Sequence, residues 1–257
     1  QVDIIGHILD QKTLELPFVD PHHLLAGEVP LPSIEIFGID MSITRHIVMM
    51  WVASFLLVVL MVKAFRKPDG VPSGLANFFE AIVIFLRDEV VLPIMGEDGK
   101  KYLPFLLTIF FFVLFCNLLG LIPYSATVTG NISVTAGLAI CIFLVMIGSG
   151  MANNGFFGFF KSLIPSGVPP LLLIILIPVE LISLFVKPFA LCVRLFANMV
   201  GGHVAILVFL SLIIIMQNEW IAIGAVPFAA AIYLLEIFVG FVQAFVFTLL
   251  STVFIGM

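Results

Sequence analysis

Charge is what this sequence has least of. Of its 257 residues 11% are charged and 62% are hydrophobic, and the mean hydropathy is +1.26. A soluble domain carries about a quarter charged residues, so an ordinary water-facing surface is excluded and lipid is the expected solvent. Cysteine is scarce too. Cys116, Cys141 and Cys192 stand in separate apolar runs without CxxC spacing, which argues against a disulfide framework or a zinc site and reads them as small buried hydrophobes. Phosphate-binding loops are missing: "SGLANFF" and "GEDGKK" contain glycine but no Walker spacing. With no nucleophile constellation or metal cluster either, an enzyme acting alone is not expected, and neither is a resident cofactor.

Residues 1–43 hold seven acids and one lysine, with no apolar core resembling a signal peptide. They read as an acidic, solvated and flexible extracytoplasmic segment. His7, His22 and His23 invite a metal-ligand reading, against which a plain tail is the simpler one. Because the chain begins at Gln1, an initiator Met or a longer leader is expected to be missing or processed.

The membrane domain is expected over residues 44–257. A bilayer crossing needs about 20 apolar residues, and the runs predict spans at 46–62, 103–122, 132–151, 170–216 and 220–255. Between the first two lies "SGLANFFEAIVIFLRDEVVLP". On a helix, Asn77, Glu80, Arg87 and Asp88 fall to one side, with Phe78, Phe79, Ile82, Phe85 and Leu86 largely opposite. This pattern predicts an amphipathic helix over 74–95 lying in the membrane surface. The fold class is therefore an all-α integral membrane protein with about five transmembrane helices and one interfacial helix. Lys63, Arg66, Lys67, Arg87, Lys100, Lys101 and Lys161 lie in connections that one side can share, which places that side in the cytoplasm. The N-terminus is then outside and the C-terminus cytoplasmic. Chain length and the lack of a transit peptide point to a bacterial inner membrane.

The last apolar stretch is broken only by Gln217–Asn218–Glu219. Each arm of about 38 residues, at about 1.5 Å per residue, reaches roughly 57 Å. The hydrocarbon is only about 30 Å thick, so a long, strongly tilted hairpin is expected, with Pro178, Pro188 and Pro227 as places for bending. Glu180, Lys187, Arg194 and Asn198 follow intervals of seven, seven and four and share one helical stripe. Glu236 and Gln243 repeat the interval of seven on the second arm. Residues equidistant from the polar turn sit at equal depth, which pairs Arg194 with Gln243, and Asn198 and His203 with Glu236. His203 lies off the first stripe by about 140°, leaving its facing open, and Gly201–Gly202 can alter the local turn.

Several of these side chains have plainer readings. Lys187 can snorkel or close an ion pair with Glu180; Glu236 with His203, or Gln243 with Asn198, can be interhelical glue. Arg194 is harder to dismiss, because an arginine at mid-helix costs roughly 2.5–3.5 kcal/mol on insertion scales. Always protonated, it is a fixed electrostatic element rather than a relay. A partner carboxylate at about 4 Å would gain about 4 kcal/mol at an effective dielectric near 20.

"PVELISLFVKPFALCVRLFANMVGGH" (178–203), "FVGFVQAFVFTLLSTVF" (238–254) and "FCNLLGLIPY" (115–124) resemble subunit a of F-type ATP synthases, and the resemblance runs from about residue 42 to the end. It implies a proton-translocating stator subunit that offers two half-channels to a ring of c subunits, with peripheral-stalk b-type subunits as further partners. By that resemblance Arg194 is the essential cation between the half-channels. Asn198 matches the asparagine after "RLF", Gln243 the glutamine of the last helix, and Glu180 the acid of the cytoplasmic half-channel. His203 and Glu236 occupy the outer half-channel positions, where other members carry Glu and His the other way round; Lys187 is a further candidate for the path. Either H⁺ or Na⁺ suits the residues, since the ring's carboxyl belongs to another polypeptide. Two rival readings are an ion-coupled secondary transporter, which predicts paired internal repeats that are not found, and a structural membrane subunit of another complex, which predicts polar residues near helix ends.

Overall fold

The computed structural model of the chain describes residues 13–16, 27–30, 35–36, 39–40, 42–65, 74–122, 127–162, 170–216 and 219–256. His7, His22 and His23 lie outside the described residues. The acidic N-terminal segment contains two short antiparallel ribbons among its described residues. β1 (Thr13–Leu16) pairs with β2 (Gly27–Pro30), Thr13 opposite Pro30 and Leu16 opposite Gly27. β3 (Glu35–Ile36) pairs with β4 (Ile39–Asp40). "TLEL" alternates polar and apolar residues, the strand period.

Among the described residues, all regular structure from residue 45 onward is helical. Its long helices are α1 (Arg45–Ala64), α2 (Leu75–Phe85), α3 (Gly99–Gly120), α4 (Ile132–Ser162), α5 (Pro170–Met216) and α6 (Glu219–Gly256). Five helical stretches are long and apolar enough to cross a membrane, α2 and α3 forming one of them with the turns between. α2 continues as a π-helical stretch, Leu86–Val91, and one more α turn, Leu92–Met95. That widened stretch ends just before Pro93, whose ring and missing N–H disturb a regular ladder. Gly96, at φ +63°, then lets the chain turn into α3.

The sequence's amphipathic reading of 74–95 meets a more specific packing. Phe79, Leu86 and Val90 are buried against Ile109, Phe110 and Phe111 of α3, and the Phe79 and Phe111 rings meet edge-on at 5.7 Å. Phe78 and Phe85 stay exposed, so the apolar face is wider than the neighbours cover. α4 holds a second departure: Gly155 (φ 72°, ψ 168°) interrupts it, and the chain beyond lays Phe159 over Gly150.

The core is a contiguous cluster in which α3 is central, joined by Ile142 of α4, Leu191 and Leu195 of α5, and Ala244 and Phe247 of α6. Lipid tails are as apolar as leucine, so in a bilayer such contacts gain from close packing and interhelical hydrogen bonds more than from leaving water. Cys116 and Cys192 are buried, whereas Cys141 is exposed among apolar neighbours, against the expectation for it. Thr248, Ser251 and Thr252 of α6 are buried, and each donates to the carbonyl four residues back. Their hydroxyls thereby need no external partner in hydrocarbon.

Candidate functional site in the α5–α6 pair

α5 stays helical through Pro178, Pro188 and the Gly201–Gly202 pair, so the glycines leave the local turn unbroken. α6 is likewise continuous through Pro227. Near the polar turn, Phe209 of α5 stacks on Phe228 of α6 at 5.9 Å. Toward the far end, Leu184 of α5 packs with Phe254 and Ile255 of α6. The two arms therefore keep one antiparallel register along their length.

Within that register Asn198 and Gln243 meet. Asn198 Nδ2 donates to Gln243 Oε1 at 3.1 Å. Gln243 is 4% exposed, and its Nε2 has no hydrogen-bond partner among the described residues. Arg194, one turn before Asn198, is exposed on the outer face of α5, and among the described residues no ion pair or hydrogen bond holds it. Small residues flank it on that face: Ala190, Ala197 and Gly201 are all exposed. Small side chains let a second backbone come close.

Glu236 is 3% exposed, and among the described residues no group hydrogen-bonds either carboxyl oxygen. Leaving such a group unpaired in an apolar surround is costly, and intramembrane acids of this kind mark functional sites. Its seat is made by an absence. A Cβ added at Gly202 would lie 2.8 Å from both Cδ and Oε1 of Glu236. His203 is half-buried and follows Gly202 directly, and it makes no hydrogen bond to the Glu236 carboxyl. A cleft of about 280 Å³ opens beside Glu236, its lining including Asn198, Gly201, Gly202, Leu235 and Val239. It joins the buried carboxyl to the amide one turn from Arg194.

On the other side of Arg194 the stripe ends in a local pair. Lys187 Nζ lies 3.8 Å from Glu180 Oε1, both side chains about one quarter exposed. The same ammonium sits 5.8 Å from the centre of the Phe254 ring, a cation–π contact. Among the described residues no group of His, Cys, Asp or Glu is placed to hold a metal ion.

Sequence reasoning passed over Gly202 as a steric seat and also missed Asn117, Thr129 and Tyr233. Asn117 and Thr129 are fully buried. Asn117 donates to Gly240 O at 3.0 Å and accepts from Thr129 Oγ1 at 2.7 Å. Tyr233 OH donates to Leu121 O at 3.2 Å. The available signal was a lone amide, Asn117, inside a run of phenylalanine and leucine.

Comparison with known proteins identifies the family of the chain. Residues 47–256 match the family model described as ATP synthase A chain. An ATP synthase subunit a of Chloroherpeton thalassium is 48% identical over 263 residues, covering 100% of this chain and 76% of the relative. A protein of Chlorobaculum tepidum named ATP synthase subunit a 2 is 45% identical, covering 99% and 72%. One from Anaeromyxobacter dehalogenans, also named subunit a, is 46% identical, covering 98% and 69%. With a match over most of its length and relatives near half identity, the chain belongs to the ATP synthase A chain family, the membrane subunit a of F-type ATP synthases.

Proposed function

We propose that α5 and α6 supply two separate proton routes to a rotating ring of carboxyl-bearing subunits, with Arg194 as the fixed cation between them. The observation that carries this reading is the exposure of Arg194. A guanidinium paired inside its own chain would be spent on structure; this one faces outward, flanked by Ala190, Ala197 and Gly201, where another helix can approach. A carboxylate brought to about 4 Å would gain about 4 kcal/mol at an effective dielectric near 20. The ring acid therefore releases its proton as it arrives and recovers one after it leaves.

The two routes lie at different depths along α5. Glu180 is 14 residues before Arg194 and Gly202 eight after it, roughly 21 Å and 12 Å along the axis. The cleft at Gly202, Glu236 and Asn198 is the outer route, with His203 beside it. Glu180 stands in the inner one, its ion pair with Lys187 holding the acid at the end of the stripe. Asn198 and Gln243 tie the arms at the depth where the routes are kept apart. Topology supports these sides. Gly256 at the end of α6 lies against Ile94 and Met95, close in sequence to Lys100 and Lys101, the basic end that the charge rule places in the cytoplasm. This contact supports the reading in which the C-terminus is inside and residues 1–43 are outside.

With α5 and α6 spanning 47 and 38 residues, roughly 70 and 57 Å, both run strongly tilted in a bilayer about 30 Å thick. Each proton that crosses 100 mV yields about 2.3 kcal/mol for rotation. The reading extends to a bacterial plasma membrane as the site and to b-type stalk subunits as the stator's other contacts. The test is Arg194→Ala in the whole complex. Assembly should persist while ATP synthesis driven by a proton gradient disappears; synthesis retained in an assembled complex refutes the role of Arg194.

A further inference from the structure

α6 carries Glu236 and Gln243, and the backbone carbonyl of Gly240 lies between them, one turn from each. Asn117 of α3 reaches this carbonyl with its amide N–H at 3.0 Å, and the Asn117 side-chain oxygen is held in turn by Thr129 Oγ1 at 2.7 Å. Both residues are fully buried. The helix places its own amide on the Gly240 carbonyl, so Asn117 uses the second lone pair. Room for the approach is narrow: a Cβ on Gly240 would already stand 3.4 Å from Asn117 Cβ. One turn further along α3, the Leu121 carbonyl accepts from Tyr233 OH at 3.2 Å. Tyr233, Glu236 and Gly240 fall on one side of α6, so Glu236 is bracketed by two hydrogen bonds to the same end of α3.

We infer that Asn117 is a positioning residue for the proton path: with Thr129 it clasps the Gly240 carbonyl and fixes the depth and rotation of α6, keeping Glu236 at Gly202 and Gln243 at Asn198. The inference rests on the proposed proton route and adds a device to it. Apolar contacts between helices tolerate sliding in lipid, where nothing penalises trading one hydrocarbon neighbour for another. A directional bond to one named carbonyl does not, because losing it strands a buried donor. Asn117 is no proton carrier in this scheme. Both ends of its amide are engaged, and an amide does not titrate.

The experiment uses the assembled complex in inverted membrane vesicles. ATP-driven proton pumping is measured from pH 6 to pH 9 (about three decades of proton activity), with the amount of assembled chain measured alongside. Asn117→Leu keeps volume and loses the clasp; pumping should fall about tenfold at unchanged assembly. Asn117→Asp is the decisive variant. As a neutral acid it donates to Gly240 O and accepts from Thr129; as a carboxylate it can only repel the carbonyl. Its pumping should approach wild type at the acid end and fall several-fold, relative to wild type, toward the alkaline end. Thr129→Val should lose about threefold and Thr129→Ser little. If Asn117→Leu fails to assemble, the Asn117→Asp profile and the Thr129 pair still decide. An Asn117→Asp profile parallel to wild type, or a Thr129→Val variant with wild-type pumping, overturns the clasp. Arg194→Ala run beside them separates the two readings. If it still pumps, the proton route itself falls; if it does not, an ordinary Asn117→Asp profile removes this inference alone.

Discussion

At Gly202 a side chain of even one carbon would reach the Glu236 carboxyl at 2.8 Å. That neighbour is buried and has no hydrogen-bond partner among the described residues, and it must move if a methyl arrives. Gly202→Ala is therefore expected to lower ATP-driven proton pumping about tenfold at normal assembly. Gly224→Ala, on the same hairpin with open space around it, should pump as wild type, since alanine also favours the helix by up to about 1 kcal/mol. Equal pumping in both would remove the steric seat. The second contrast lies across Arg194. Lys187 touches Glu180 at 3.8 Å with both groups partly exposed, and such pairs contribute about 0–1 kcal/mol. Lys187→Met should then cost less than about twofold in pumping, while Glu180→Gln, which removes the acid itself, should cost about tenfold. A Lys187 variant as damaged as the Glu180 variant would make the ammonium part of the path.

At the scale of elements, what the sequence disclosed follows from periodicity and what it hid follows from tertiary contact. Five apolar helices were legible because hydrocarbon demands runs of fixed length, and the observed stretches match that count. Counting from the polar turn set Gln243 level with Arg194, whereas the structure bonds Gln243 to Asn198, one turn further along α5. Facing was harder. His203 could not be oriented by counting, and Asn117 gave only its identity, since its partners lie 12 and 123 residues away. The π-helical stretch before Pro93 and the break at Gly155 have no signal in hydropathy. Gly155 sits at φ 72°, ψ 168° with nothing within 4 Å of a built Cβ, so its demand is on the backbone alone. This region is essentially glycine-only and costs other residues about 1–3 kcal/mol. Gly155→Ala should lower the thermal stability of the assembled complex, whereas Gly137→Ala, a helical position equally open, should leave it unchanged or slightly raised. Equal melting of the two would show that α4 does not need the break.

For the molecule as a whole, exposed apolar side chains such as Phe55, Phe185, Phe189 and Ile215 say little by themselves, because a bilayer accommodates them as readily as a protein partner does. Exposed charge is different. Most basic residues cluster toward one side of the membrane by the charge rule, yet Arg194 stands on the outer face of α5 among apolar residues. Hydrocarbon does not solvate a guanidinium, so the assembled protein must bring something polar to it. The face around it decides which surface that is. Ala190, Ala197 and Gly201 line the exposed side, while Leu191, Leu195 and Met199 are buried against the rest of the chain. The whole molecule therefore predicts a one-sided contact. In a Cys141→Ala background, with Cys116 and Cys192 buried, single cysteines at Ala190 and Ala197 should form disulfides on mild oxidation with a cysteine placed beside the ring carboxyl. Cysteines at Leu191 and Met199 should not, and all four variants should assemble. Gels of the oxidised complex read the result directly. Cross-links from the buried pair, or none from Ala190 and Ala197, would mean that the ring approaches another face and that Arg194 answers to a different partner.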